Sequence, residues 1–374
     1  MEEEEKIILL KGEKGGATGK TSLPRKLRHH KTVKPISSGS LKNQQLDLFQ
    51  NFMANTDDER EGLSNAVDLW DNIPRYSVSR SRMNTMRTAE GFLEELEIPF
   101  QYRGRTFTAV IHPARVKGKD GQYKSYYPSA REELVEHALR KISASQQAGF
   151  FDQTDNRSGV LFSLRLLREE LDQQGHSLRY DEIIEALEIL SRGGIEIITT
   201  NEVGDEAFTV SNYFSALSGV KRKDYETDSN SKWAVQFHPL VTKSIDKLTY
   251  RQFNYRRLMQ CRSQLARWLL NQLVLKYTQA AMLTPFEMRY STIKRDSALL
   301  SGYGLERLAI AALDEAWDEL IKLGALSVVN KNKQLGAHNK IEDIIYELFP
   351  TPGFIAEQKA SNRRKADGNE IDST

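Results

Sequence analysis

The clearest pattern of apolar and polar positions runs from Lys243 to Val329. Apolar residues recur at helical spacing from Leu258 to Leu273, which predicts a long helix with a basic and polar opposite side. A helical piece from Phe286 to Ala298 follows, and a glycine-containing break separates it from a helix between Leu305 and Leu320. Leu326–Val329 reads as a strand. This order of elements predicts a winged helix-turn-helix.

An earlier stretch repeats this order. Val160–Phe162 is a predicted strand, and Ser163 is placed to cap the helix that follows it. A second helix runs from Tyr180 to Leu190, and residues 195–211 read as two strands. The fold is therefore predicted to be α+β, with two tandem winged helix-turn-helix domains.

The domain boundaries follow from changes in composition. Residues 1–90 are polar and lack hydrophobic periodicity, so we predict a largely disordered arm. The first winged-helix domain is placed at 91–248, where strands between 98 and 127 and a helix precede the pattern described above. The second domain is placed at 249–350, and the polar residues 351–374 are expected to form a disordered tail.

Composition narrows the class of protein. The 374 residues are 39% hydrophobic and 28% charged, with a net charge of +2, which is typical of a globular protein. No apolar run approaches the roughly 20 residues that a membrane span needs, and no signal-peptide pattern is present, so we expect a cytoplasmic protein with no membrane partner. The single cysteine, Cys261, excludes an intrachain disulfide and argues against a cysteine zinc site.

Positive charge is concentrated in the second domain. From Lys243 to Leu308 there are 12 Lys and Arg residues against 4 Asp and Glu. A local excess of this size is what contact with DNA phosphates requires, because such contact releases condensed counterions. The alternative is a solvated basic face on an ordinary helical domain.

The candidate DNA-binding residues fall into three groups. Those in the last helix-turn-helix suit base-edge and phosphate contacts: Arg289, Ser291, Thr292, Lys294, Arg295, Ser301, Tyr303 and Arg307. Those on the basic helix suit phosphate contacts: Arg256, Arg257 and Arg262. The first domain offers weaker candidates at the edge of an acidic helix: His176, Ser177, Arg179 and Tyr180. For Arg289 and Arg295 the alternative is an exposed ion pair with Glu287 or Asp296.

No catalytic constellation is present in the sequence. The run Gly15 to Thr21 resembles a phosphate-binding loop, but its first glycine is one residue too close to Gly19, and no helix pattern follows. A nicking initiator would need a His-hydrophobic-His metal motif, and the histidines lack that spacing. We therefore expect a protein that is not an enzyme and has neither a cofactor nor a metal site.

Gln45-Leu46-Asp47-Leu48-Phe49 is the most specific short motif. It places apolar anchors beside a polar residue in an otherwise polar segment, as peptides that dock into a partner's pocket do. The motif resembles the peptide by which bacterial proteins bind the polymerase sliding clamp. The alternative is an amphipathic segment that packs on this protein's own core.

Several landmarks in order resemble the TrfA-type plasmid replication initiators, relatives of the iteron-binding Rep proteins. They are the motif at 45–49 with Trp70 after it, Phe162-Ser163-Leu164, Tyr250-Arg251, Tyr255-Arg256-Arg257-Leu258, and Glu315-Ala316-Trp317-Asp318-Glu319-Leu320. In one respect the chain departs from this family, whose recognition helix is basic along its first turns, because Leu305–Ala309 contains a single Arg.

The resemblance implies binding to directly repeated sites in double-stranded origin DNA, opening of the origin, and recruitment of host helicase, initiator ATPase and sliding clamp. Single-stranded origin DNA is a further candidate partner, and inactive dimers that control plasmid copy number are expected. Two other classes remain open: a winged-helix transcriptional regulator without a replication role, and a nicking enzyme.

Overall fold

The structure is a computed structural model that describes residues 67–102, 104–118, 121–144, 149–152, 157–200, 204–220, 232–241, 255–277, 279–282, 284–336 and 341–360. The described helices are α1 (Val67–Asn72), α2 (Arg80–Met86), α3 (Ala130–Ala144), α4 (Leu164–Gln173), α5 (Tyr180–Arg192), α6 (Tyr255–Gln260), α7 (Gln264–Lys276), α8 (Tyr290–Ser297), α9 (Glu306–Lys322) and α10 (352–360). The described strands are β1 (Leu96–Tyr102), β2 (Arg105–His112), β3 (Ala114–Lys117), β4 (Tyr123–Tyr126), β5 (Gly149–Asp152), β6 (Arg157–Ser163), β7 (Gly194–Thr200), β8 (Glu206–Asn212), β9 (Phe214–Ser218), β10 (Lys232–Phe237), β11 (Phe286–Arg289), β12 (Leu326–Leu335) and β13 (Ile341–Pro350).

The fold is α+β and contains the two predicted winged helices in tandem. Each half has a helix, a short strand, two further helices and a β-hairpin: α3, β6, α4, α5, β7–β8 in the first, and α7, β11, α8, α9, β12–β13 in the second. The sheets run β1-β2-β7-β8, β5-β6-β10-β9, β11-β13-β12 and β3-β4.

In the first half, local signals place the elements where the sequence predicts them. The Ser163 hydroxyl accepts a hydrogen bond from the Leu166 amide at 3.1 Å and so caps α4. Gly175 has a φ of +86°, which an L-residue with a side chain rarely adopts, and it makes the turn between α4 and α5. The hairpin β7–β8 is extended by β2 on its inner edge, so β8 is the outer strand of a four-stranded sheet.

In the second half, two sequence predictions are wrong. Residues 286–289 form the strand β11, which pairs with β13, rather than the start of a helix. The long helix predicted from Leu258 to Leu273 is two helices, because Ser263 caps α7 through the Ala266 amide and the Glu319 carboxylate accepts the Arg262 and Ser263 amides. These side chains offer the backbone groups at the break an alternative to helical hydrogen bonds.

The arm and the tail were both predicted too long. In the segment from 67 to 90, which the sequence assigns to the disordered arm, Leu69 and Trp70 are completely or almost completely buried. Residues 352–360, which the sequence assigns to the tail, form α10, which places Phe354 in the core. Thr351 caps this helix by accepting the Phe354 amide at 3.1 Å. Short apolar anchors in polar surroundings explain both errors, since they give no periodic signal.

A buried ion cluster joins the N-terminal segment to the central helix α3. Arg75 and Arg140 contact Glu136 and Asp71, with the Arg140 Nη1–Asp71 Oδ1 distance at 2.8 Å. The Trp70 indole donates to Glu136 at 2.8 Å. Burial alone would raise the pKa of Glu136, but the charges of Arg75 and Arg140 outweigh it and hold that pKa at about 2. Glu136 is therefore a carboxylate in the folded protein at neutral pH.

The two halves share one continuous apolar core. Polar contacts reinforce the junction: Arg267 of α7 bonds Glu133 of α3 at 2.9 Å, and the Tyr255 hydroxyl donates to Glu170 of α4 at 3.0 Å. Packing and these polar contacts consequently fix the relative placement of the two winged helices.

Candidate nucleic-acid interface

The helix-turn-helix of the second half consists of α8, the turn at 298–305, and α9. Strand β11 leads directly into α8, and the Asp343 carboxylate of β13 accepts the Ser291 amide at 3.0 Å and its hydroxyl at 2.6 Å. Burial would raise the pKa of Asp343, but the bonds from Ser291 outweigh it and lower that pKa below its ordinary value. Ser291 is thus used to attach α8 to the wing.

The turn exposes several of the predicted residues. Ala298 ends α8 in the left-handed region with a φ of 55°, and the Ser301 hydroxyl donates to its carbonyl at 2.7 Å. The chain then turns outward, and Ser301, Tyr303 and Arg307 are all exposed.

The exposed face of α9 carries positive charge only near its ends. Glu306, Arg307 and Leu308 are exposed in the first turn, opposite a buried face centred on Leu313 and Trp317. Further along, the exposed positions are Ala311, Glu315, Asp318 and Lys322. The two acids in the middle of the helix would repel phosphates, so the first turn is the part of α9 best suited to contact base edges.

Two of the predicted cations are held in ion pairs. Lys294 contacts Glu306 at 2.7 Å, and Arg295 contacts Asp296 at 2.6 Å, which is the alternative that the sequence left open for Arg295. Both cationic side chains remain 39% exposed. The Lys294–Glu306 pair is exposed on both sides and contributes about 0–1 kcal/mol, so a phosphate can compete for Lys294. Asp296 is buried, with 7% of its side chain exposed, so Arg295 is held more firmly. Arg289, at the end of β11, is exposed, and Thr292 is half-buried on α8.

The sequence predicted only the first residues of the wing and none of its polar side chains as candidates. Strand β12 extends to Leu335, well beyond the predicted end at Val329, and β13 pairs with it. Beyond Val329, the hairpin presents a polar run: Asn330, Lys331, Asn332, Lys333 and Gln334. Glu347 of β13 accepts the side-chain amide of Asn332 at 2.9 Å, and Lys331 contacts Asp314 of α9. The alternation of Asn and Lys along this run was the available signal.

Of the three arginines predicted on the basic helix, two are exposed and one has a structural role. Arg256 and Arg262 are exposed, as phosphate contacts require. Arg257 is not: its guanidinium bonds the Glu357 carboxylate of α10, with Nη2–Oε1 at 2.9 Å, and donates to the Leu323 carbonyl at 3.2 Å. Only 15% of its side chain is exposed, so the structure gives Arg257 a structural role and disfavours its assignment to DNA.

Replacing Arg257 with alanine should lower the free energy of unfolding by about 1–3 kcal/mol, because Glu357 and the Leu323 carbonyl lose a charged donor. The affinity for DNA should stay unchanged. Urea unfolding and a DNA titration measure the two quantities. Arg256→Ala is the matched control, with stability retained and affinity reduced. A weaker affinity without a stability loss in Arg257→Ala would show that Arg257 contacts DNA after all.

The first half does not present its second helix in the same way. From Tyr180 to Ser191, all of which the structure describes, no residue of α5 is exposed. Glu185 contacts Arg131 of α3 at 2.6 Å, and Arg80 of α2 lies 3.9 Å from it. Neighbouring elements therefore flank α5, which is less accessible than the first turn of α9.

The predicted residues at the edge of α5 are also partly engaged. His176 contacts the Met259 carbonyl of α6 at 2.5 Å, and Tyr180 lies under Arg168 at 4.9 Å. Arg179 is 72% exposed but flanked by Asp181 and Glu182. Ser177 is exposed. This group lies at the junction with α6, apart from the second helix-turn-helix.

The motif Gln45–Phe49 lies outside the described residues. Among the residues that are described, no group of three or more His, Cys, Asp or Glu side chains is placed to hold a metal ion. None of the described helices combines the length and the apolar character that crossing a membrane takes.

No model of a known protein family matches the chain, and no curated protein matches it. Among solved structures, the chain is similar to crystallised domains 2 and 3 of RctB, with 9% identity, a TM-score of 0.48, and coverage of 75% of this chain and 98% of that one. A second crystal structure of RctB domains 2–3 gives 10% identity, a TM-score of 0.41, and coverage of 74% and 97%. The Pi initiator protein in complex with iteron DNA gives 12% identity, a TM-score of 0.32, and coverage of 65% and 98%.

Proposed function

We propose that this protein is a plasmid replication initiator that binds directly repeated sites in double-stranded origin DNA. The observation that carries the proposal is the second winged helix, where the exposed first turn of α9 and a lysine-bearing wing flank the same helix-turn-helix. The order of sequence landmarks that resembles the TrfA-type initiators supports replication over transcription as the purpose of that binding. A winged-helix transcriptional regulator is the alternative function.

In this proposal the N-terminal turn of α9 enters the major groove and Arg307 reads a base edge, as the first residues of recognition helices do. Lys331 and Lys333 of the wing, with Arg256 and Arg262, contact phosphates and set the position of the helix. The exchange of Lys294 from Glu306 to a phosphate adds affinity that depends on salt.

A direct test compares binding to repeated origin DNA with binding to scrambled DNA over a range of salt concentrations. The source plasmid's own repeats should be bound at least about 10³-fold more tightly than scrambled DNA of equal length. Equal affinity for both would contradict the proposal. A transcriptional regulator would instead bind a promoter site more tightly than the origin repeats.

Opening of the origin is proposed to draw its energy from binding and DNA deformation, together with the host initiator ATPase and helicase, so that this chain itself catalyses no reaction. Single-stranded origin DNA is a further partner in this step. Supercoiled origin DNA incubated with the protein and Mg²⁺ should stay supercoiled. A relaxed product would support the alternative that this protein is a nicking enzyme. We place this activity in the cytoplasm.

Self-association, which the resemblance implies for copy-number control, would have a suitable surface on β8. This outer strand carries Phe208 and Val210, which are 62% and 55% exposed, and its outer backbone edge can pair with another strand. A second copy that adds its own β8 would cover both side chains.

Recruitment of the sliding clamp is assigned to Gln45–Phe49. Phe49→Ala should abolish retention of the protein on immobilised clamp, because it removes the largest apolar anchor of the motif. DNA binding, carried by residues that lie far along the chain, should be unaffected and serves as the control. Equal retention of the wild-type and variant proteins, or none by either, would remove the clamp from the proposal.

A further inference from the structure

A large groove lies beside the second helix-turn-helix, with a volume of about 1120 Å³. One wall is α2 with the residues before it, and the other is α9 with the turn that precedes it. The junction between α6 and α7 closes one side. The sequence placed α2 in a disordered arm, so its position beside a candidate DNA-binding element was not expected.

Arg82 of α2 touches the turn itself. Its Nη1 donates to the Ser301 hydroxyl at 3.1 Å. A Cβ atom added to Gly302 would lie 3.3 Å from the same nitrogen, so the guanidinium rests against the backbone of the turn. Ser301 and Tyr303 thus share one surface with a cation from a distant part of the chain.

The polar lining of the groove favours an anion. From Asn72 to Ala89 the chain contains no Asp or Glu, and Arg82 is the arginine of this segment that faces the groove. Arg262 and Lys322 line the opposite side, and Ser79 and Thr85 line the α2 side together with Arg82.

Two acids also line the groove. Glu319 is already occupied, since it accepts the Arg262 and Ser263 amides, and Glu315 is exposed on α9. Among the described lining residues, three cations and one uncommitted carboxylate leave a net attraction for phosphate. The attraction is strongest at the α2 side, where none of these residues is an acid.

We propose that the groove receives the phosphate backbone of the duplex whose bases the first turn of α9 contacts, with Arg82 and Arg262 holding phosphates on its two sides. This inference rests on the proposed function and extends it to a part of the chain outside the helix-turn-helix. Arg82 is then a DNA contact that also positions the turn through Ser301.

The test measures the salt dependence of binding to repeated origin DNA. Each phosphate contact contributes about 0.9 to the slope of log K against log salt, so Arg82→Ala and Arg262→Ala should each reduce the slope by about 1 and weaken binding roughly five- to tenfold near 0.1 M salt. Arg82→Lys keeps the charge and should keep the slope. Lys117→Ala removes an exposed cation that does not line the groove and should change neither quantity.

Ser301→Ala separates the two roles of Arg82, because it breaks the contact with the turn and leaves the charge in place. We expect it to retain the full salt slope. If Arg82→Ala also retains the full slope and merely matches Ser301→Ala in affinity, Arg82 only positions the turn and the proposal is overturned. A polyglutamate peptide probes for an acidic protein segment as the occupant. If the peptide competes with DNA for the wild-type protein but not for Arg82→Ala, and both proteins have the same salt slope for DNA, the groove binds an acidic segment and the proposal is overturned. Failure of the wild-type protein to prefer repeated DNA would instead refute the proposed function.

Discussion

Replacing Glu136 with alanine should lower the free energy of unfolding by about 3–5 kcal/mol. The carboxylate is 98% buried and accepts bonds from Trp70, Tyr76 and Arg75, so its removal leaves buried donors and cationic charge without compensation. Urea unfolding followed by tryptophan fluorescence measures the change. A loss below about 1 kcal/mol would mean that water or another group replaces the carboxylate.

A matched control is Glu169→Ala, which removes a half-exposed carboxylate paired with Arg165 on the surface of α4. Such a pair contributes about 0.3–0.5 kcal/mol, so this variant should unfold almost as the wild type does. The contrast between the two variants separates the buried cluster from the general effect of removing a negative charge.

The buried ion cluster and two buried histidines that interact with its charges, His137 and His238, set an expected pH dependence. Burial lowers the pKa of His238 to about 3 and that of His137 to about 4, so both are neutral in the folded protein and charge more readily when unfolded. Stability should therefore fall as pH drops from about 6.5 towards 3. The contribution of Glu136, whose pKa is depressed to about 2, is present above about 4.5 and lost below it. Glu136→Ala should remove the second part of this acid dependence and keep the first.

Replacing Arg307 with alanine should relax the choice of DNA sequence. An arginine on a base edge contributes about 1–3 kcal/mol of discrimination, which corresponds to roughly a 5- to 150-fold loss of preference for the repeated site. Arg307 is the exposed cation in the first turn of α9, and the acids farther along that helix cannot substitute for it. Binding to repeated and scrambled DNA, measured at one salt concentration, gives the preference directly.

The control for Arg307 is Arg256→Ala, since Arg256 is exposed on α6 and assigned to phosphate. It should weaken binding to both DNAs equally and reduce the salt slope by about 1. Parallel losses of affinity for both DNAs in Arg307→Ala would place Arg307 on the backbone and leave the base contact to another residue.

Local pattern predicted most of the secondary structure. The helix ending before Gly175, the cap at Ser163 and the hairpin of residues 194–212 follow from spacing, capping and turn residues, which act over a few positions of the chain. Prediction failed where periodicity was absent or where one apolar pattern continued across two helices. The break before Ser263 is such a place, because Glu319 from a distant helix accepts the free amides there.

The candidate site was predictable as a region but not residue by residue. Sequence reasoning identified the second helix-turn-helix and its exposed Ser301, Tyr303 and Arg307. It could not separate Arg256 from its neighbour Arg257, because the partner of Arg257 is Glu357, which lies 100 residues away. It also omitted Arg82, which reaches the turn from a segment that looked unstructured.

The sequence by itself determined that this chain forms two winged helices and that its positive charge is concentrated in the second one. It could do so because periodicity, caps and charge are properties of residues close together in the chain. Only the tertiary structure decided which of these surfaces is accessible. The flanking of α5 by Arg80 and Arg131, the use of Arg257 in an internal ion pair and the groove beside α2 depend on elements far apart in the chain. Exposure and ion pairing are set by which elements pack together, and that information is not contained in local spacing.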